Sequence, residues 1–134
     1  MKALLAQREA ALALVALVAG VVALAVTVAT RGSKPLPAPV GSYTALAGST
    51  GAQAVGRHTA CGEVIGPKTQ GVAHPVLPCG VRVYITYGDT TVLTEVIDRG
   101  PYVPGRQFDL TEALAKRLGL SGVQRIHWSY AQAK

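Results

Sequence analysis

Hydrophobic and polar residues alternate in the middle of the chain. Val81, Val83, Ile85 and Tyr87 are separated by single residues of more polar character, and a period of two is typical of a strand with one buried face. A Gly-Asp pair follows, and the β-branched run over residues 91–97 comes next. Because Gly and Asp are common turn residues, the two runs are predicted to form an antiparallel hairpin.

A helical period occurs once after this hairpin, from Leu110 to Leu118. Leucines spaced four residues apart share one face of this segment. Asp109 is positioned to cap its N-terminus, Glu112 follows three residues later as in a capping box, and Gly119 is positioned to end it. Residues 123–128 are again strand-like, so the C-terminal part is predicted to be mainly β with one short helix.

The N-terminal part has a different pattern, because no charge occurs in the 21 residues from Ala10 to Thr30. At about 1.5 Å per residue, a helix of this length crosses the roughly 30 Å hydrocarbon core of a bilayer. We therefore expect residues 1–9 in the cytoplasm and residues 10–30 as a single transmembrane signal anchor. A cleaved secretory signal is the alternative, although its apolar stretch is usually shorter.

Residues 31–54 are rich in Pro, Gly, Ser and Ala and show neither the helical nor the strand period. Such a composition is typical of a flexible linker. The pattern predicts a tether over residues 31–54 that carries a folded domain over residues 55–130.

The charge narrows the class of partner. The chain carries a formal charge of +6, but its cations are scattered singly and few aromatic residues accompany them, unlike a nucleic-acid-binding surface. Beyond a membrane, the same charge suits anionic cell-wall polymers or lipid head groups. Nucleic acid is therefore not an expected partner.

Three motifs in the C-terminal part carry a family resemblance. They are HTACGEV from His58, VAHPVLPCGVRVYI from Val72, and VIDRGPYVPGRQFDLTEALAKRLGL from Val96, with Asp98-Arg99-Gly100-Pro101 as its core. In order and spacing they resemble the rare lipoprotein A (RlpA) family over residues 57–128. Members of that family commonly begin with a Trp-Tyr-Gly stretch, for which Ser42-Tyr43-Thr44 is the nearest substitute here.

This resemblance implies a fold and an activity. The fold is a six-stranded double-psi β-barrel with one short helix, and the activity is that of a peptidoglycan lytic transglycosylase. It further implies that Asp98, His74 and Glu63 converge in one groove as catalytic residues, with Asp98 as the general acid. The alternatives are an ion pair or turn cap with Arg99 for Asp98, and a solvated surface position for Glu63.

Three further residues are candidates for lining a glycan groove: Arg99, Tyr102 and Arg106. Single exposed cations and tyrosines are also ordinary surface residues, so both interpretations stay open. Asp109 lies within the family-like motif, but its place just before the helix favours a capping role.

Cys61 and Cys79 are the two cysteines of the chain. In an exported domain they are expected to form a disulfide, which contributes about 3 kcal/mol in the chain-entropy model. A zinc site with His58 and His74 is the alternative, although the spacing matches no common zinc motif. Otherwise we expect neither a metal nor a cofactor.

Two functions fit these features. One is a lytic transglycosylase that cleaves glycan strands and leaves 1,6-anhydromuramyl ends. The other is a non-catalytic module that binds peptidoglycan, and the fold alone does not separate the two. In either case we expect a single-pass protein of the bacterial cell membrane, with its C-terminal domain outside the cytoplasm and peptidoglycan as its partner.

Overall fold

The computed structural model describes residues 32–133. Within this part of the chain the elements are β1 (Pro39–Ser49), a 3₁₀ turn (Ala52–Ala54), β2 (Val72–Ala73), β3 (Arg82–Tyr87), β4 (Thr90–Asp98), β5 (Phe108–Leu110), α1 (Glu112–Leu118) and β6 (Gln124–Ala131). Long irregular segments join β1 to β2 and β4 to β5, and both contribute to the site described below.

The strands close into a barrel in the order β1-β5-β2-β4-β3-β6. β1 runs parallel to β5 and β2 runs parallel to β4, whereas the other neighbours are antiparallel. Fully buried side chains, including those of Phe108, Ile85 and Ile126, fill the interior, and α1 adds Leu114 and Leu118 to the same core. Over residues 32–133, the predicted six-stranded β-barrel with one short helix is confirmed.

The predicted hairpin is also confirmed. β3 and β4 pair in antiparallel fashion, and the last pair is Tyr87 opposite Thr90, which leaves Gly88 and Asp89 as the turn. Gly88 has a φ of +58°, a conformation that glycine adopts at little steric cost.

β1 lies inside the stretch predicted as a linker, and the structure differs here from the sequence analysis. Pro39–Ser49 pairs with β5 on one side and β6 on the other. Ala45 and Ala47 are buried in the core, and the ring of Tyr43 stacks on that of Trp128 at a centroid distance of 4.7 Å. Small residues make up most of this strand and only Val40 and Thr44 are β-branched, while its pairing partners are distant in sequence.

The helix begins later than predicted. α1 starts at Glu112, whereas Asp109 and Leu110 belong to β5, where Leu110 pairs with Val72. Strand pairing therefore overrides the local helical signal, and Asp109 does not cap the helix. The predicted end is confirmed, since Gly119 adopts a left-handed conformation with a φ of +69°.

Residues 1–31 and Lys134 lie outside the described part of the chain. The predicted cytoplasmic segment (1–9) and transmembrane anchor (10–30) fall there and stay predictions. Among residues 32–133, no helix has the length and apolar character needed to cross a membrane.

Candidate functional site: an acidic row and groove on the barrel wall

Two aspartates lie in one row across the barrel wall. Asp98 ends β4 and pairs with Ala73 of β2, which pairs in turn with Asp109 of β5. Asp109 also pairs with Gly48 of β1. The register of β2 against β4 shifts between Val72 and Ala73. In the ladder the two aspartates thus lie on either side of Ala73, and Asp109 neighbours Gly48, over which Arg106 lies.

Asp98 is buried, and both of its carboxylate oxygens accept hydrogen bonds. Oδ2 accepts from Nη2 of Arg57 at 2.9 Å. Oδ1 accepts from the backbone N–H of Ala60 at 2.9 Å and from that of Arg99 at 2.8 Å. Asp98 forms its ion pair with Arg57. The Asp98 side chain also caps the turn, because Oδ1 accepts the backbone N–H of Arg99. These contacts tie the end of β4 to the loop that contains Arg57 and Ala60.

His74 is joined to Asp98 through the backbone. Its N–H donates to the Asp98 carbonyl at 3.2 Å, whereas its Nδ1 accepts from the N–H groups of Val76 and Leu77 at 3.2 and 3.0 Å. Burial, and then the charge of Arg99, lowers the pKa of His74 below its ordinary value. The imidazole is therefore neutral near pH 7 with its proton on Nε2, and within residues 32–133 it makes no hydrogen bond to the Asp98 carboxylate.

Glu63 lies on the same loop as Ala60, but its side chain is exposed. Its backbone N–H donates to Oγ1 of Thr59 at 3.0 Å, and its carbonyl accepts from the Thr59 N–H at 2.7 Å. Among the described residues, no ion pair links the Glu63 carboxylate to another side chain. The structure thus brings Asp98 and the His74 backbone together and leaves the Glu63 carboxylate outside this contact network.

The three predicted glycan contacts differ in their surroundings. The Arg99 guanidinium donates to the carbonyl oxygens of Leu77 at 2.7 Å and His74 at 3.4 Å, so it holds a loop in place. Tyr102 is 79% exposed and is free to meet a ligand. Arg106 is half-buried and forms an ion pair with Asp109, with 2.7 Å between Nη2 and Oδ1.

The predicted disulfide is confirmed, since Cys61 and Cys79 are bonded to each other. Because both sulfur atoms are used in this bond, the alternative of a zinc site built on two thiolates is wrong. The disulfide joins the loop that donates the Ala60 N–H to Asp98 to the loop that follows His74. It therefore cross-links two segments that both contact the end of β4.

A groove opens beside Asp109 and has a volume of about 430 Å³. It is lined by Ser49, Thr50, Gln53, Ala54, Arg57, Arg106 and Asp109. Burial raises the pKa of Asp109 above its ordinary value; the guanidinium groups of Arg106 and Arg57 lower this pKa in part, and the charge of Asp98 raises it further. Asp109 is therefore a carboxyl group that holds its proton to a higher pH than a free aspartate.

Sequence reasoning missed the place of Asp109 in this groove. The position of Asp109, just before the helical run, is typical of a helix cap. This favoured a capping role, although Asp109 also lies between two buried residues, Phe108 and Leu110. The apolar-polar-apolar order of these three residues is the period of a strand. A short strand of this kind is easily overlooked next to a helix.

The barrel, the disulfide and the acidic row define the class of this protein as a small double-psi β-barrel domain with a polar groove. A family model described as lytic transglycolase matches residues 46–130, which is more than half of the chain. The chain therefore belongs to this family, and the resemblance seen in its motifs is confirmed.

Two relatives illustrate the similarity in sequence. The endolytic peptidoglycan transglycosylase RlpA of Yersinia pestis is 41% identical over 87 residues, which make up 63% of this chain and 24% of that protein. The probable endolytic peptidoglycan transglycosylase RlpA of a Nostoc species is 41% identical over 69 residues, which make up 50% of this chain and 19% of that protein. The chain thus matches less than a quarter of the length of either relative.

A solved structure supports the fold. The Streptomyces papain inhibitor aligns with a TM-score of 0.55 and 24% identity, over 70% of this chain and 97% of the inhibitor. At this level of identity the similarity concerns the fold alone.

Proposed function

We propose that this domain is a peptidoglycan lytic transglycosylase. The bond cleaved is that between C1 of a muramyl sugar and O4 of the next sugar, and the product carries a 1,6-anhydromuramyl end. Family membership supports the class of activity and the substrate, and catalysis by this chain is the step that we propose.

The observation that carries the proposal is a groove lined by Asp109 and Arg57, with Asp98 paired to that same Arg57. A glycosidase that uses water generally needs two carboxylates across the scissile bond. A lytic transglycosylase can use one carboxyl, which gives a proton to the glycosidic oxygen and then takes one from the muramyl 6-hydroxyl. Asp98 and Asp109 are the carboxyl groups that meet this requirement.

The predicted catalytic residues receive unequal support. Asp98 is buried at the end of β4 and connects that strand to the loop that contains Arg57 and Ala60. The contacts of His74 support a positioning role. Its N–H donates to the Asp98 carbonyl, and its Nδ1 accepts hydrogen bonds from the loop that follows. Glu63 lies on the loop that contacts Asp98, and its role as a catalytic residue stays a prediction.

A non-catalytic peptidoglycan-binding module is the second candidate. The occupation of both Asp98 oxygens by three N–H donors favours it, because neither oxygen is left free to meet a glycosidic oxygen. In that case exposed side chains such as Tyr102 would contact the glycan without cleavage.

The test is mass spectrometry of purified peptidoglycan after incubation with the full chain in detergent. Wild-type protein is expected to release products with anhydromuramyl ends, and Asp98→Asn to release at least about 100-fold less. Asp89→Asn is the matched control, since Asp89 lies exposed in the hairpin turn at the opposite end of β4. Protein that pellets with peptidoglycan but releases no product would identify the binding module instead.

The location belongs to the same proposal: a single-pass protein of the bacterial cell membrane with the barrel outside the cytoplasm. The disulfide supports an oxidising compartment, and the uncharged run over residues 10–30 supports an anchor. Protease added to intact spheroplasts is expected to degrade the barrel domain. Protection of the domain until the cells are lysed would contradict this location.

A further inference from the structure

Arg57 links the groove to Asp98, because it lines the one and forms an ion pair with the other. Its backbone is fixed, since its N–H donates to the Ala54 carbonyl at 3.1 Å and its carbonyl accepts from the Ile65 N–H at 3.0 Å. Its side chain is 51% exposed, whereas that of Asp98 is 7% exposed. Exposed side chains change rotamer rapidly. The guanidinium can therefore change partners without movement of the loop.

The two oxygens of Asp98 are held in different ways. Oδ1 accepts from the backbone N–H groups of Ala60 and Arg99, so a ligand could reach it only if the backbone moved. Within residues 32–133, Oδ2 accepts from Nη2 of Arg57 alone, at 2.9 Å. Rotation of one side chain therefore uncovers Oδ2 and leaves Oδ1 in place.

Arg57 also has donors that a ligand could use. A guanidinium carries five N–H groups, and among residues 32–133 Nε and Nη1 of Arg57 form no hydrogen bond, while Nη2 donates to Asp98. The other guanidinium of the groove belongs to Arg106, whose side chain is 26% exposed and is paired with Asp109. Arg57 is thus the more exposed of the two and the better placed to meet a ligand in the groove.

The chemistry of a guanidinium determines which ligand group it takes. A guanidinium has N–H donors and no acceptor, so the ligand must offer an acceptor oxygen. The sugars of peptidoglycan carry an acetamido group on C2, next to the C1 atom of the scissile bond, and its carbonyl is such an acceptor. A guanidinium bound to this carbonyl stays close to the glycosidic oxygen. It therefore also stays close to Asp98 if Asp98 acts on that oxygen.

We propose that Arg57 is a glycan-binding residue that changes partners: it pairs with Asp98 in the free protein and donates to the acetamido carbonyl of the sugar at the scissile bond when the groove is occupied. The inference rests on the proposed lytic transglycosylase activity. Once uncovered, Oδ2 of Asp98 takes a proton from solvent and gives it to the glycosidic oxygen as the C1–O4 bond breaks. The carboxylate then takes the proton of the muramyl 6-hydroxyl as O6 bonds to C1.

The first experiment measures binding of soluble peptidoglycan strands to the full chain in detergent, by calorimetry at low temperature with the strands checked afterwards for cleavage. Arg57→Ala is expected to bind about tenfold more weakly, because a hydrogen bond from a charged donor is lost. Arg57→Lys keeps the charge without the planar fork, so a loss of about threefold is expected. Arg125→Ala, at an exposed site on β6, is the control. Equal binding by wild type and Arg57→Ala would overturn the proposal.

The second experiment tests the change of partner through Asp98→Asn. This substitution frees Arg57 from its ion pair, so the variant is expected to bind strands about threefold more tightly than the wild type. The double variant Arg57→Ala, Asp98→Asn should bind as weakly as Arg57→Ala, because the gain depends on Arg57. If Arg57 only holds Asp98 in place, Asp98→Asn gives no gain. Unchanged or weaker binding by Asp98→Asn would therefore overturn the change of partner.

The salt dependence of binding tests which oxygen Arg57 meets. The comparison is between Asp98→Asn and the double variant, since neither has the competing ion pair. For a neutral acetamido carbonyl, the ratio of their dissociation constants should be the same at low and high salt. For a carboxylate of the strand, salt screens the contact and the ratio falls toward one. A falling ratio would overturn the acetamido assignment.

The failure of this inference differs from the failure of the proposed function. If the wild type releases no anhydromuramyl product, the proposed activity is wrong, and the binding comparisons still decide the role of Arg57 because they need no cleavage. If the wild type cleaves, Arg57→Ala should raise KM about tenfold and leave kcat within about twofold. A lower kcat at an unchanged KM would leave the activity standing and overturn the glycan contact of Arg57.

Discussion

Asp98 and Asp109 are the same type of residue on two strands of one barrel that a single strand separates, yet their surroundings differ. The Asp98 carboxylate accepts three hydrogen bonds from three different residues. The Asp109 carboxyl is also largely buried but has a single charged partner, Arg106, with Nη2 2.7 Å from Oδ1, and burial raises its pKa. Burial alone therefore does not decide what a carboxyl group does. The number of aligned donors decides it.

The two ends of the row also differ in how the chain covers them. The Asp98 end lies beneath two loops that a disulfide joins, whereas the Asp109 end faces the open groove. The Asp98 end is therefore bonded to the loops around it, and the Asp109 end borders the groove. Substitutions at the two ends of the row should therefore lower the stability of the domain by different amounts, and these amounts can be ranked.

The largest loss of stability is expected from removal of the disulfide. A Cys61→Ser, Cys79→Ser double variant opens a loop with a sequence separation of 18, which should lower the free energy of unfolding by about 3 kcal/mol in the chain-entropy model. Urea unfolding of the full chain in detergent measures the loss. Reductant should produce the same loss in the wild type and no further change in the double variant. A wild type that is insensitive to reductant would show that the loops around Asp98 do not depend on the cross-link.

The next loss is expected from Asp98→Asn, compared directly with Asp109→Asn. An amide at position 98 turns one acceptor into a donor that faces N–H groups, and it leaves Arg57 without its charge partner. A cost of about 2 kcal/mol follows, because Arg57 is half-exposed and solvent reduces the penalty for leaving it unpaired. Asp109→Asn should cost less, about 1 kcal/mol, since Asp109 has one charged partner, Arg106, and the neutral amide avoids the burial cost of a carboxylate. Equal costs at the two positions would remove the distinction between them.

The contrast between the two aspartates also shows which features of the structure could be predicted from the sequence. The hairpin and the cysteine pair depend on local pattern or on family motifs, and both are found in the structure. β1 is rich in small residues and has no clear strand period, and its pairing with β5 joins segments that are far apart in the chain. The groove forms where these two strands meet, so no local pattern indicates it. Asp109 acquires its neighbours Gly48 and Arg106 by the same non-local pairing.

The predicted catalytic set shows the same limit. The resemblance implies that Asp98, His74 and Glu63 converge in one groove, and in the structure the backbones of His74 and Asp98 are joined at 3.2 Å. The motif did not indicate that the His74 ring accepts from its own loop, nor that Arg57 is the ionic partner of Asp98. Arg57 lies in an irregular segment, and side-chain partners there depend on how the whole loop folds over the barrel.

The smallest expected effect on stability is a pH dependence that belongs to Asp109. Its pKa is raised in the folded protein, so between the ordinary aspartate pKa and the raised value the folded state binds more protons than the unfolded state. The free energy of unfolding therefore falls as pH rises through this window. His74 acts with the opposite sign, because its lowered pKa makes the folded state bind fewer protons, and stability is lost as pH falls below the ordinary histidine pKa.

The difference between wild type and Asp109→Asn separates these two contributions. Unfolding measured across the acidic range should give a difference curve in which the contribution of His74 cancels and only the fall due to Asp109 is left. A raised pKa requires that the variant gain stability relative to the wild type as pH rises through the window, since an amide has no charge to bury. If the variant instead loses relative stability with rising pH, Asp109 is better stabilised as an anion than as an acid. The Asp109 carboxyl would then resemble that of Asp98, and the distinction between the two ends of the row would be lost.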